Sequence, residues 1–231
     1  MTRVIWTPSY RLVSSVFPPV GLFDDVTDPA ELEIIFAIEG LTNPRLRQEM
    51  GQLHLVPPEE RIAGPGTTPI MAAFTHLNPS GSRFSDGSYG VYYAARDADT
   101  AIAETLYHRE LFLAKTATPP IEVDMRCYLA NIDDELIDVR GEQTRSPALY
   151  DPDSYAASQA FANEHRTQRA RGIVYDSVRR AGGECVALFW PKSIAPAIQG
   201  PHYAFVWDGT RIAQVYEKSN LRPTGDGARA P

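Results

Sequence analysis

The chain has 231 residues, of which 43% are apolar and 22% charged, enough to bury a core in one soluble globular domain. Its formal charge of −7 excludes a general affinity for nucleic acid or anionic membrane, because phosphate binding needs a basic surface. A small anionic ligand would need a local group of arginines instead.

No run approaches the roughly 18 apolar residues of a membrane-spanning helix. The start MTRVIWTPSY lacks the apolar length of a secretory signal, so the expected location is cytoplasmic. In chain order, TPSYRLVSSVF alternates as a strand carrying Arg11, with Pro18 and Pro19 ending it. DPAELEIIFAIEGLTNP has an acidic start, a helical apolar stripe and Gly40 as a stop, and predicts a helix. AGPGTTPIMAAFTHLNPSGSRFSDG predicts loops around one short buried segment. Its GPGTTP lacks the glycine and lysine positions of a phosphate loop.

SYGVYYAA predicts a strand with Tyr89, Val91 and Tyr93 on one face and Gly90 and Tyr92 on the other. A helix is expected from about Asp97–Thr100 to Leu113, its start capped by acidic and hydroxyl side chains. TPPIEVDMRCYLANI reads as a strand, and DPDSYAASQAFANEHRTQRAR as a helix stopped by a left-handed Gly172. GIVYDSVRRAGGECVALFWP predicts a hairpin turning at Ala181–Gly183, and HYAFVWDGTRIAQVYEK another at Asp208 and Gly209. The tail, residues 222–231, is polar and small and is expected to be disordered, leaving residues 1–221 as one domain. Hairpins mixed with dispersed helices favour an α+β fold, with mixed sheets and surrounding helices. Cys127 and Cys185 lie near no CxxC or histidine pair; buried free thiols are expected, and no metal site.

Several polar residues admit two readings. Helical spacing puts Ile102, Leu106 and Leu113 on one stripe and Glu104 roughly opposite, so Glu104 is either a solvated acid or the wall of a cleft covered by another element. His108, one turn on, either orients Glu104 or makes a local surface pair. The tyrosine-rich strand is either half-buried sheet or a stacking platform. Arg11 and Arg83 are ion-paired surface residues or ligand contacts, and Ser177 a turn residue or a site residue.

Taken together and in order, YRLV with Arg11, SRFSDG with Arg83, GVYYAA with Tyr93, AIAETLYH with Glu104 and IVYDSVRRAGGECVALF with Ser177 resemble the RES-domain family. The resemblance spans roughly residues 5–195, and GSRF stands where the family has GGRW. It implies a fold similar to ADP-ribosyltransferases and a toxin of a bacterial toxin–antitoxin pair that consumes NAD as substrate, with no further cofactor. It also implies an Xre-type antitoxin as protein partner, without direct nucleic-acid contact by this chain. The oligomeric state is left open, a homodimer included.

Carried onto the matching positions, Glu104, Arg83 and Tyr93 become the catalytic candidates, and Arg11, Arg83, Tyr93 and Ser177 the substrate-binding ones. Two guanidinium forks suit a pyrophosphate, and an aromatic face suits the cationic nicotinamide ring. A carboxylate facing the oxocarbenium-like sugar lowers the barrier to nicotinamide loss by hydrolysis or phosphorolysis. Nicotinamide leaves neutral, so no second acid is required. Ser177 positions substrate and is not a nucleophile, since no His-plus-acid relay accompanies it. The alternatives are ADP-ribosyl transfer to a protein and a non-catalytic binding domain. Many protein-modifying enzymes of that fold carry Gln or Glu two residues before the catalytic Glu, where this chain has Ile102.

Overall fold

The computed structural model describes residues 1–15, 23–24, 28–29 and 51–219. The helix expected in DPAELEIIFAIEGLTNP, the stop at Pro18 and Pro19, and the tail lie outside the described residues. The described strands are β1 (Thr2–Ser14), β2 (Tyr92–Ala95), β3 (Ile121–Asp138), β4 (Gly172–Asp176), β5 (Glu184–Leu188), β6 (Ile198–Trp207) and β7 (Ile212–Glu217). The α-helices are α1 (Thr68–Thr75), α2 (Ala98–Lys115) and α3 (Ala156–Thr167).

The strands form one mixed sheet in the order β1-β2-β5-β4-β3-β6-β7, and β1 pairs with β3 as well, so five of them close a ring. This is an α+β arrangement. The ring is thin at two corners. β1 meets β2 only at Tyr10↔Ala95, and β3 meets β4 in parallel only at Ile137↔Ile173 and Asp138↔Val174. Beyond Tyr10, β1 continues along β3 to Ser14↔Met125 while β2 follows β5. The fork between β1 and β2 opens a cleft.

Alternation on β2 divides the apolar residues between two clusters. Tyr92 and Ala94 join Trp6, Phe74, Val186 and Leu188; Tyr93 and Ala95 pack with Tyr175, Cys185 and Phe189 on the other face. The expected facing of Tyr89, Val91 and Tyr93 against Tyr92 is therefore observed, although ladder pairing starts only at Tyr92. Gly90 instead abuts α1: a β-carbon there would lie 2.4 Å from the Ala73 carbonyl oxygen.

The short buried segment TPIMAAFT is α1, with Ile70, Met71 and Phe74 inside, and Asp24 Oδ1 accepts from Thr67 N and Thr68 N at its start. β3 outruns the expected strand because the acids of its second half find partners outside the core, Asp133 on Arg3 at 2.8 Å and Asp134 on Arg171 at 3.0 Å. The two hairpins turn where expected, with Gly182 at φ 75° and Gly209 at φ 101°. One terminator is corrected. The left-handed residue after α3 is Arg169, at φ 64°, and Gly172 already belongs to β4. That glycine is required by close approach, since a β-carbon would sit 2.5 Å from the Ala187 carbonyl oxygen. Both cysteines are buried and free, and burial pushes the Cys127 thiol up to about 11. No helix among the described residues is long and apolar enough to cross a membrane.

Candidate active site

Asp97 caps α2, its carboxylate accepting from Thr100 N at 2.8 Å, and Ile102 and Leu106 turn inward onto the core. Glu104 consequently falls on the flank that meets the end of β4. There the Ser177 hydroxyl donates to Glu104 Oε1 at 2.6 Å. Ser177 Oγ in turn accepts from the Arg179 and Arg180 amides at 3.1 and 3.0 Å. A hydroxyl has one proton and two lone pairs, so Ser177 is saturated, which suits a group that holds Glu104 and not a nucleophile.

The loop after β4 is itself fixed to the first turn of α2. Arg180 Nη1 donates to Asp97 Oδ1 and Thr100 Oγ1, both at 3.0 Å. Gly183 makes that approach feasible, for a β-carbon would lie 2.6 Å from Thr100 Oγ1. Arg179 lies flat on Tyr107, its guanidinium carbon 3.3 Å from the ring centre, and donates to the Pro152 carbonyl at 2.8 Å. Desolvation lowers the pKa of the neighbouring His108 ring, with the Glu104 charge opposing and those of Arg179 and Arg83 adding to it.

Arg83 sits in the tight turn bridged by Ser82 and Ser85 and is 7% exposed. Its Nη1 donates to the Leu149 and Asp151 carbonyls at 3.0 Å each, and its guanidinium covers the Tyr155 ring at 4.8 Å. Nη2 is buried without a hydrogen-bond partner among the described residues. The Tyr93 hydroxyl accepts from Phe84 N at 2.9 Å and shares a hydrogen bond with Ser82 Oγ at 2.8 Å. Burial raises the pKa of this phenol well above its ordinary value, against those two hydrogen bonds.

Tyr175 on β4 joins these groups. It is buried edge-on to Phe84 at 4.9 Å. Desolvation raises its pKa well above the usual phenol value; Cys185, Glu104 and Tyr93 add to the rise and Arg83 opposes it. Tyr93 is thus tied to the Arg83 turn through Ser82 and Phe84, Phe84 meets Tyr175, and Ser177, two residues beyond Tyr175, is bonded to Glu104. Arg11 reaches the cluster from the opposite side of the fork. Its Nη1 donates to the Tyr93 carbonyl at 2.9 Å, and its guanidinium lies 4.7 Å over Tyr92. Desolvation lowers the pKa of this guanidinium, while Tyr92 and Tyr93 oppose the shift.

The cleft at the fork is a cavity of ≈ 960 Å³. Arg11, Val13, Arg126 and Tyr128 of β1 and β3 line it, α1 contributes Thr68 and Ala72 with His76 just past its end, and Tyr93 of β2 lines it as well. Arg83, Glu104 and Ser177 are not part of its wall. The sequence reading missed Arg126, Tyr175 and Arg179. Tyr175 and Arg179 flank Ser177 in a segment already singled out, whereas Arg126 sits in an ordinary charged strand with no motif around it. Among the described residues no cluster of His, Cys, Asp or Glu has the arrangement of a metal site.

The family model described as the RES domain matches residues 58–208, a segment that contains Arg83, Tyr93, Glu104 and Ser177 but not Arg11. A protein of Sinorhizobium fredii (strain NBRC 101917 / NGR234), named "Uncharacterized protein y4oC", is 33% identical over 210 residues, covering 90% of this chain and 86% of the relative. The M. tuberculosis MbcT–MbcA toxin–antitoxin complex holds a chain that aligns with TM-score 0.46 at 12% identity, covering 94% of this chain and 86% of that one. With the ordered site residues inside a match over more than half its length, this chain belongs to the RES domain family.

Proposed function

We propose that this protein breaks the nicotinamide–ribose bond of NAD and acts as the toxin of a toxin–antitoxin pair. The observation that carries the reading is the Glu104 carboxylate held at 2.6 Å by Ser177, together with a cavity lined by Arg11, Arg126 and Tyr93. A single fixed carboxylate is what a glycosidic bond with a neutral leaving group requires. As the bond between the sugar C1 and the nicotinamide nitrogen breaks, its electron pair stays with nicotinamide and positive charge grows on the sugar. Glu104 stabilises that charge. An oxygen of water or phosphate then bonds to C1; water gives up a proton to the medium, and ADP-ribose or its 1-phosphate results.

Ser177 acts through Glu104 by holding its rotamer. Tyr93 lines the cavity, and Arg11 with the unmet Nη2 of Arg83 supplies donors for the diphosphate. NAD loss would poison the cell that makes the protein, so the reading includes a neutralising antitoxin of Xre type, which occludes the cavity. The test is chromatography of products from NAD and pure protein, with and without phosphate. Nicotinamide plus ADP-ribose, or its 1-phosphate when phosphate is present, is the expected result. Unchanged NAD overturns the reading, and label from the adenylate side retained on protein replaces it with ADP-ribosyl transfer.

A further inference from the structure

Arg126 occupies a place that its surroundings do not explain. It lies on β3 opposite Val13, while Arg11 lies opposite Tyr128, so the two arginines are diagonal neighbours on one face of the β1–β3 ladder. Both line the cavity. Like charges at such spacing repel, and a fold normally separates them with a carboxylate. Here neither guanidinium is ion-paired to a carboxylate among the described residues. Asp24, also in the cavity wall, is engaged through Oδ1 by Thr67 N, Thr68 N and the Thr68 hydroxyl at the start of α1.

The donors are also left over. Arg11 Nε and Arg126 Nε are buried without a hydrogen-bond partner among the described residues, and both residues line the same cavity. An unmet buried donor is destabilising, the more so when it carries charge. Two guanidinium groups that are diagonal neighbours on adjacent strands, each with an unmet donor, are the complement of an anion with several oxygens.

We infer that Arg126, with Arg11, forms a phosphoryl-binding cradle on the floor of the cavity. This rests on the NAD reading for its biological ligand but not for its chemistry. The donor set suits a phosphoryl group because two guanidinium forks meet tetrahedral oxygens in paired geometry. Arg126 is then a binding residue of the site and Arg83, tied to two carbonyls, the lesser phosphate contact.

The test is calorimetric titration of the full chain with inorganic pyrophosphate, ADP-ribose, inorganic phosphate and adenosine, for wild type, Arg126→Met and Arg126→Lys. Wild type is expected to bind pyrophosphate and ADP-ribose. Arg126→Met should weaken both by about tenfold or more, the scale of one lost charge-assisted hydrogen bond, and leave adenosine binding unchanged. Arg126→Lys, which keeps the charge but not the fork, should fall between. The ligand-free Met variant should melt at or above the wild-type temperature, because an unpaired buried donor has been removed.

Phosphate binding that depends on Arg126 and persists under saturating ADP-ribose assigns the cradle to an acceptor phosphate. Competition between the two assigns it to the diphosphate of the dinucleotide. Equal pyrophosphate binding in all three proteins, or no phosphate compound bound by wild type, overturns the inference, as does a lowered melting temperature with phosphate binding intact. A cradle that binds pyrophosphate through Arg126 in a protein inert toward NAD keeps this inference and sinks the NAD reading. NAD turnover with an unchanged KM in Arg126→Met does the reverse.

Discussion

Arginine is treated in two opposite ways in this molecule. Where β3 and β4 meet, Arg171 bonds Glu60 at 2.8 Å and Asp134 at 3.0 Å, and Arg140 bonds Asp138 at 2.6 Å and Glu184 at 2.5 Å. At the cavity, Arg11 and Arg126 have no such partners among the described residues and keep buried nitrogens unmet. The first arrangement closes the fold on itself; the second leaves a deficit that a ligand can fill. A protein of net charge −7 has ample acid with which to neutralise two arginines. Leaving them unpaired within a cavity is therefore the chemical signature of the site.

The largest expected effect lies at Glu104, the acid of the proposed reaction. Glu104→Gln keeps the hydrogen bond from Ser177 but removes the charge, and NAD turnover should fall on the order of 10²-fold with the melting curve retained. Full activity in a folded variant would end the catalytic assignment. On the structural side, Arg171→Met strips Glu60, itself only 6% exposed, of a partner. It should cost about 3–5 kcal/mol in denaturant unfolding, with activity of the folded fraction unaltered. A loss below about 1 kcal/mol would erase the distinction between the two arginine environments.

Ser177→Ala should lower turnover by about tenfold and stability by about 1–2 kcal/mol, because Glu104 and two loop amides lose the same oxygen. A change confined to stability would show that the acid needs no orientation. Gly183→Ala is expected to cost a similar amount by collision with Thr100, and Thr100→Ser, which removes the methyl also in contact, should recover part of it. The smallest effect lies at Asp208, held down to about 2 chiefly by the Arg211 amide, then by the Thr210 hydroxyl and amide. Its folded value is depressed, so its contribution is complete above the ordinary carboxylate value of 3.8 and is lost as pH falls through about 2. Between those limits wild type should lose a little more stability on acidification than Asp208→Asn; parallel melting temperatures across that window would remove the contribution.

How legible each part was depends on whether its cause was local. The Gly182 and Gly209 turns and the Asp97 cap are dictated by nearest neighbours, and all three appear where the residue types demand them. Arg169 was misjudged in favour of Gly172 because glycine suits both a left-handed stop and a tight strand contact, and only the packed Ala187 carbonyl decides between them. Glu104 looked solvated by periodicity, since what covers it is a loop 73 residues later. The family pattern drew attention to that acid and its serine; their bond to each other is a tertiary fact. Arg126 gave no signal, as a charged residue in an alternating strand looks the same with a carboxylate partner or without one.

The closing of the five-strand ring through β3 has a consequence for biosynthesis. The chain makes β1 first, yet its partner residues Met125–Leu136 emerge more than a hundred residues later, and β4 and β5 later still. Contacts so distant along the polypeptide are late events in folding. A ribosome must therefore release residues beyond β5 before the ring around the cleft can close, and whatever the cleft binds finds no site on the shorter nascent chain.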